Sequence, residues 1–451
     1  MRFRSTLALL TILGALGAYL YFYELPTGER AAQEEQRAQK IVLFKADEVQ
    51  AVTVRYPAQP EIRIERRGAD DWAIIAPLPT AADPREVRSL ITTLTDQKAS
   101  RVVDENNQDL AEYGFDRPLA DIGFTLASGE ERVRIGHDGA LPNTLFVRRD
   151  SDRKVFLTEQ WIKGSLTRTL FDFRNKMVLT VQQDQIQKLR LEFPDLTVVL
   201  EKDAEGWWLR QPKNTHADDD ALQNVLLDLA NLRATGFVDA AEKSKLIRML
   251  KKPVLTAAIG GAVEAQVRFY RGAPKDSYYA VTSPDQPIAE IGAPNMEEFK
   301  DELFHYLDKR LGRFDRLKID RIQVQTPKEA YRLTHGAAGW ALDEPSSPVK
   351  TDLVDRLLDA LYRLRASRIV EKPGDRKALG LDPPQYRVTL QTGDTVAAAF
   401  GFGSVTQNSI YAVAPDPLGV VLVAKDIQDN IPIRSELIPS AAPPAPPATG
   451  K

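Results

Sequence analysis

The 451-residue sequence contains no cysteine. That excludes disulfides, thiolate zinc sites, cysteine nucleophiles and a lipidated N-terminal cysteine, and it fits an oxidising compartment. Histidine is nearly as scarce. His137, His216, His305 and His335 are the whole set, and no two stand at metal-ligand spacing. An excess of positive charge is also missing: 60 Lys and Arg face 63 Asp and Glu, for a formal net charge of −3. Without a basic footprint no nucleic-acid partner is expected. What is present is an ordinary globular balance, 43% hydrophobic and 27% charged, over a length that suggests about three domains.

One long uncharged run stands out, Ser5 to Tyr23, preceded by Arg2 and Arg4 and ending in Tyr19, Tyr21, Phe22 and Tyr23. As a helix it would be about 28 Å long, close to the ~30 Å hydrocarbon core of a bilayer. The flanking arginines and the aromatic belt predict a single-pass anchor, with Met1 in the cytoplasm and the remainder outside. The alternative is a cleaved signal peptide, with Ala15, Gly17 and Ala18 as the small residues a peptidase needs. The polar residues after Tyr23 read as a stalk.

The rest of the chain repeats. Aligned on Trp72, Trp208 and Trp340, at offsets of 136 and 132 residues, each copy has alternating apolar residues upstream of the Trp and a helical stripe downstream. The stripes are Val87, Leu90, Ile91 and Leu94; Leu222, Val225, Leu226 and Leu229; and Val354, Leu357, Leu358 and Leu361. All follow the i, i+3, i+4, i+7 spacing of an amphipathic helix. Asp83, Asp219 or Asp220, and Asp352 are candidate caps. Each helix leads to a matching exit, at Ala99, Ala234 and Ala366. Strands arriving in runs make the fold class α+β: three tandem copies of a mostly antiparallel sheet-plus-helix module behind an N-terminal transmembrane helix. The expected pieces are residues 1–23 (tip and anchor), 24–43 (stalk), 44–179, 180–314 and 315–437 (modules, the third shortened), and 438–451 (a Pro-rich disordered tail). Terminal helices are expected near Gln160–Leu170 and Met296–Leu311, with the third copy stopping sooner, after Lys425–Asp429.

The phrase Leu110-Ala-Glu-Tyr113-Gly114-Phe115-Asp116-Arg-Pro118 and its echo Ala378-Leu379-Gly380-Leu381-Asp382-Pro383 resemble a bacterial family, the domain of unknown function numbered 4340. The middle copy departs, since Met249-Leu-Lys-Lys-Pro253 lacks the glycine. The resemblance implies an envelope protein linked to transporter genes of the gliding-motility type, hence the bacterial inner membrane with the bulk of the chain in the periplasm. It implies no activity. Physically, Gly114 and Gly380 suit a left-handed residue after a short helix, closed by the following Pro.

The search for chemistry returns no catalytic, cofactor-binding or metal residues, and no cofactor is expected. Asp218-Asp219-Asp220 lacks the alternating ligands, Gly and closing Glu of a calcium loop and reads as a helix N-cap cluster. Ser151-Asp-Arg-Lys154 has a Ser-x-x-Lys spacing but lies in a hairpin turn. Gly401-Phe-Gly403 is no dinucleotide fingerprint. The three aligned Trp read as core anchors rather than sugar platforms. Lys309, Arg310, Arg313 and Arg316 read as a solvated helix face rather than a partner or head-group site. The expected function is a non-enzymatic accessory or scaffold subunit beside a membrane-protein partner such as a transporter permease. The alternative is a glycan or small-ligand binding protein, with Tyr278, Tyr279 and Tyr411 as candidate contacts, and a hydrolase comes third.

Overall fold

The computed structural model describes residues 38–439 except 239, 273–275, 345 and 416, and not the side chain at 240. The expected anchor and nearly all of the stalk, and the tail beyond 439, lie outside the described residues. Among the described residues no helix is long and apolar enough to cross a membrane.

The first module builds nine strands: β1 (Val49–Arg55), β2 (Ile62–Arg66), β3 (Trp72–Ala76), β4 (Thr80–Ala81), β5 (Arg101–Asp104), β6 (Ala120–Leu126), β7 (Gly129–Asp138), β8 (Thr144–Arg149) and β9 (Val155–Glu159). They form one sheet in the order β4-β3-β2-β1-β6-β7-β8-β9-β5. Two four-stranded meanders therefore meet at the antiparallel β1–β6 pair. The Pro84–Asp96 helix links β4 to β5, which closes the far edge on β9. The second and third modules repeat this order, each with nine strands. The third, although shorter in sequence, lacks none of them.

Alternation drives the strands. Val49, Val52 and Val54 point into the core while the residues between them do not. The helical stripes pack on the sheets, and all twelve stripe residues are buried. Asp83 caps the first helix through the Arg85 N–H, and Asp218 caps the second through the Ala221 N–H at 3.0 Å. The second cap is thus one residue earlier than expected, which leaves Asp219 and Asp220 as first-turn carboxylates facing the helix dipole. In the third helix Lys350 holds the cap position without a side-chain bond, and Asp352 lies in the first turn.

The expected terminal helices are instead broken into short pieces, Gln160–Ile162 and Lys163–Leu166 in the first copy and Ala293–Met296 in the second, each followed by a separate closing turn. Leu170–Phe173, Leu303–Tyr306 and Arg434–Leu437 each end a module. In the first copy Thr167 leaves helical geometry and a Thr169–Asp172 capping box starts a new turn, so no long helix can form. The third copy has its closing turn too, beyond Asp429. Each turn buries one large side chain, Phe173, Tyr306 or Leu437. The carbonyls of those residues accept the N–H at the start of the module helix, from Asp83, Asp218 and Lys350 (2.7, 2.9 and 2.9 Å). At the front of each module a lead-in segment is tied to the helix exit: Ala99 N–H to Gln39 O, Val178 N–H to Leu232 O, and Leu311 N–H to Leu364 O. Ile41, Leu179 and Leu311 are buried there. Lys40–Leu43 accordingly belongs to the first folded body rather than to the stalk.

The Trp register needs a correction. Leu209 lies opposite Leu200 as Ile74 lies opposite Ile64 and Leu342 opposite Leu333. The N–H groups of Ala82, Ala217 and Val349 donate to the carbonyls of Trp72, Trp207 and Trp340. The equivalent Trp in the middle copy is therefore Trp207, not Trp208. A one-residue slip reverses the face in a strand. Trp72, Trp207 and Trp340 face the cores, whereas Trp208 shares the opposite face with Arg210.

The chain divides into two compact units, one ending at Lys176 and one starting at Met177. The first has its own apolar core, and in the second the core runs on from the second sheet to the third.

Candidate functional site

The acidic triplet and the basic stretch, read separately in the sequence, meet at the seam between the second and third modules. Asp218 is only 5% exposed and accepts from Lys309 Nζ at 2.9 Å, with Arg365 at 3.8 Å. Lys309 Nζ also donates to the His305 carbonyl. Arg310 spans Asp219 (3.0 Å) and Asp308 (2.9 Å), Arg313 joins Asp308 (2.7 Å), Arg365 reaches Asp220 (3.0 Å), and Arg316 pairs with Asp359. Beneath these pairs the Ala366 N–H donates to the Lys309 carbonyl at 2.7 Å. The stretch is thus not a solvated helix face. Its cations pair with carboxylates at the helix start, Asp218 and Asp219, and with Asp308 and Asp359.

The electrostatics follow. Burial opposes ionisation of Asp218, but the Ala221 N–H, Lys309 and Arg365 outweigh it and hold its carboxyl below the ordinary carboxylate range. Burial, then Arg313, lowers the His216 pKa; burial, then Lys309, lowers that of His305. Both shifts favour the neutral imidazole. Among the described residues no group of three or more His, Asp or Glu is arranged to hold a metal ion. Ser151 sits exposed in the β8–β9 turn, and Lys154 pairs with Glu105 rather than with the serine.

Trp208 packs on His216 with ring centroids 4.0 Å apart and planes tilted by 32°, and the Arg210 guanidinium lies over the Trp208 ring at 5.0 Å. Trp208 Nε1 and His216 Nδ1 are both buried without a hydrogen-bond partner. Tyr278 is covered by Arg271, while Tyr279 lines a cavity.

That cavity marks where the middle module departs from its neighbours. In the outer copies the glycine turn folds onto a strand: His137 N–H donates to Tyr113 O, and Ser404 N–H to Leu379 O. Gly114 and Gly380 have φ of 79° and 68°, the left-handed geometry the sequence suggests. The approach also needs a bare strand. A Cβ on Gly136 would sit 2.2 Å from the Tyr113 oxygen, and one on Gly403 2.1 Å from the Leu379 oxygen. At the register-equivalent position the middle copy has Tyr270, so both glycines of the arrangement are lost together. In place of the turn it has a ten-residue helix, Ala240–Met249. Sequence reasoning missed this helix, although its Ala, Glu, Lys, Leu and Met content is a signal. Between the helix and the sheet edge lies a cavity of about 330 Å³ lined by Phe237, Leu246, Met249, Tyr279, Glu242 and Glu290. Ile247 (42%) and Met249 (64%) stay exposed.

A family model described as Domain of unknown function (DUF4340) matches residues 72–253 and 340–436, together more than half of the chain. Neither a curated protein nor a solved structure matches it.

Proposed function

The chain belongs to the DUF4340 family, and from that premise and its own geometry we propose that it is a non-enzymatic, membrane-anchored accessory or scaffold subunit. Its place is the periplasmic side of a bacterial inner membrane, and its partner is a membrane protein such as a transporter permease. The observation that carries this reading is what the copies share. The equivalent positions hold core-facing Trp, apolar helix stripes and closing turns, and the charged pairs Asp218–Lys309 and Asp219–Arg310 are spent at the seam between the second and third modules. Repetition of this kind multiplies surface. The anchor rests on the Ser5–Tyr23 run and its flanking arginines. Purification of the tagged full chain in mild detergent, followed by mass spectrometry, tests it. A stoichiometric integral membrane partner is the expected result; a chain recovered alone under several mild detergents opposes it.

A second reading, a small-ligand binding protein, is favoured by the cavity under the Ala240–Met249 helix, whose volume falls at the lower end of ligand sites.

A further inference from the structure

The three sheets present register-equivalent positions on the face turned away from the core. In the first module these hold paired charges. Arg55 and Arg63 share Glu61 (2.7 and 3.1 Å), and Asp121 faces Arg132 at 3.6 Å. In the second module Arg190 pairs with Glu192 at 2.6 Å. The third module breaks the pattern. Its strand Arg321–Gln325 pairs with Ala330–Gly336 and Tyr386–Thr392 in the same register. That register puts Ala330 where Glu61 stands, Gln325 where Arg55 and Glu192 stand, and Arg387 where Asp121 stands. Arg332 keeps the place of Arg63. Both carboxylates are gone; of the three arginines only the Arg63 position keeps one, since Ala399 stands where Arg132 does, and Arg387 is new.

The consequence is a polar groove of about 410 Å³ over this face, lined by Gln323, Gln325, Arg332, Arg387, Thr389 and Arg434. Among the described residues the Arg387 guanidinium has no ion-pair or hydrogen-bond partner. Arg332 has one loose ion pair, to Asp343 Oδ2 at 3.7 Å, while the Thr334 hydroxyl donates to Asp343 Oδ1 at 2.7 Å. Arg434 is fixed from its backbone, donating to Glu329 at 2.9 Å, and its guanidinium reaches the Glu344 carbonyl. Tyr331 stiffens the floor through its hydroxyl bond to the Pro432 carbonyl. Asp343 and Glu344 bound one edge, so three guanidinium groups face two carboxylates there.

We propose that this groove is an oxyanion-binding site, taking a carboxylate or phosphate group, with Arg387 and Arg332 as the anion ligands. Guanidinium forks match both groups bidentately. Gln323, Gln325 and Thr389 supply donors and acceptors for hydroxyl or amide groups beside the anion. The site is independent of the tethering reading, because it uses only the third module. The oxyanion can come from a free solute or from a lipid head group, and the two sources separate experimentally.

The full chain in phosphatidylcholine nanodiscs is titrated at low salt with inorganic phosphate, with citrate and with short-chain phosphatidylglycerol, alongside R387Q and R63Q. The expected result is saturable one-site binding of at least one probe, weakened at least about tenfold by R387Q and unchanged by R63Q, the paired equivalent of Arg332 in the first module. A response to phosphate or citrate identifies a free solute; a response to the short-chain lipid alone identifies a head group. Unchanged thermal melting of R387Q keeps folding out of the comparison. No saturable binding of any probe, or equal binding by R387Q, overturns the proposal.

Discussion

Replacing Asp218 probes the seam between the second and third modules most sharply, since one carboxylate both caps a helix and receives the Lys309 ammonium. Asp218→Ala removes both. Loss of an N-cap costs about 0.5–2 kcal/mol. Lys309 is 20% exposed, so it loses its partner in a largely desolvated place. A full buried-pair break costs about 3–5 kcal/mol, and the residual access to water reduces this to roughly 1–3 kcal/mol. The sum is about 1.5–5 kcal/mol. Asp218→Asn separates the two parts, because asparagine caps well but carries no charge. Denaturant unfolding of the full chain, followed by tryptophan fluorescence, reads the second unit through Trp207, Trp208 and Trp340 once Trp72 and Trp161 of the first unit are replaced by Phe. The folded-state pKa of Asp218 is depressed relative to an unfolded value of about 3.9, so its contribution is present above that pH and is lost as pH falls through the lower folded value. Asp218→Asn should lack that part of the acid sensitivity while keeping most of the cap. An alanine variant within about 0.5 kcal/mol of wild type would refute the seam pairing. So would an asparagine variant with the full acid response.

Other expectations follow from the same packing. Leu226→Asp places an unpaired carboxylate in the second core and should abolish the cooperative melt of that unit; an unchanged thermal transition would mean the stripe does not pack there. Gly403→Ala should destabilise by about 1–3 kcal/mol through the clash with the Leu379 carbonyl, while Gly336→Ala, whose Cβ would meet open space, should stay within about 0.5 kcal/mol of wild type. Chemical denaturation of both distinguishes the pair, and equal effects would contradict the turn geometry. A phosphatase fused after Phe44 should be active and should remain with membranes after carbonate washing. A soluble product missing Met1–Ala18 would indicate a cleaved signal instead.

Much of the fold is legible because burial imposes a period. The twelve stripe residues announce three helices, and alternation at Val49, Val52 and Val54 announces a strand. Register is less legible. Two adjacent tryptophans, Trp207 and Trp208, offer two alignments, and only the cross-strand partner Leu200 decides which faces inward. The closing turns escape periodic reading because each is held by one buried side chain and one carbonyl rather than by a stripe. The seam escapes for a related reason: its charges are 91 residues apart in the Lys309–Asp218 pair, so local reading assigns each half to solvent. The glycine turn is half legible. Gly114 and Gly380 stand out in the sequence, but the second requirement, a bare strand at Gly136 and Gly403, emerges only from the pairing.

Removing the proposed anchor tests the central claim most directly. Residues 38–451 begin before Lys40 and keep the lead-in that ties Gln39 to Ala99, so the first unit retains its described contacts. Exported with a cleavable signal at native expression, this soluble form should fold yet fail to complement a deletion strain, because it loses the high effective concentration of a partner held in the same membrane. Full rescue by the soluble form would contradict a tethered accessory subunit.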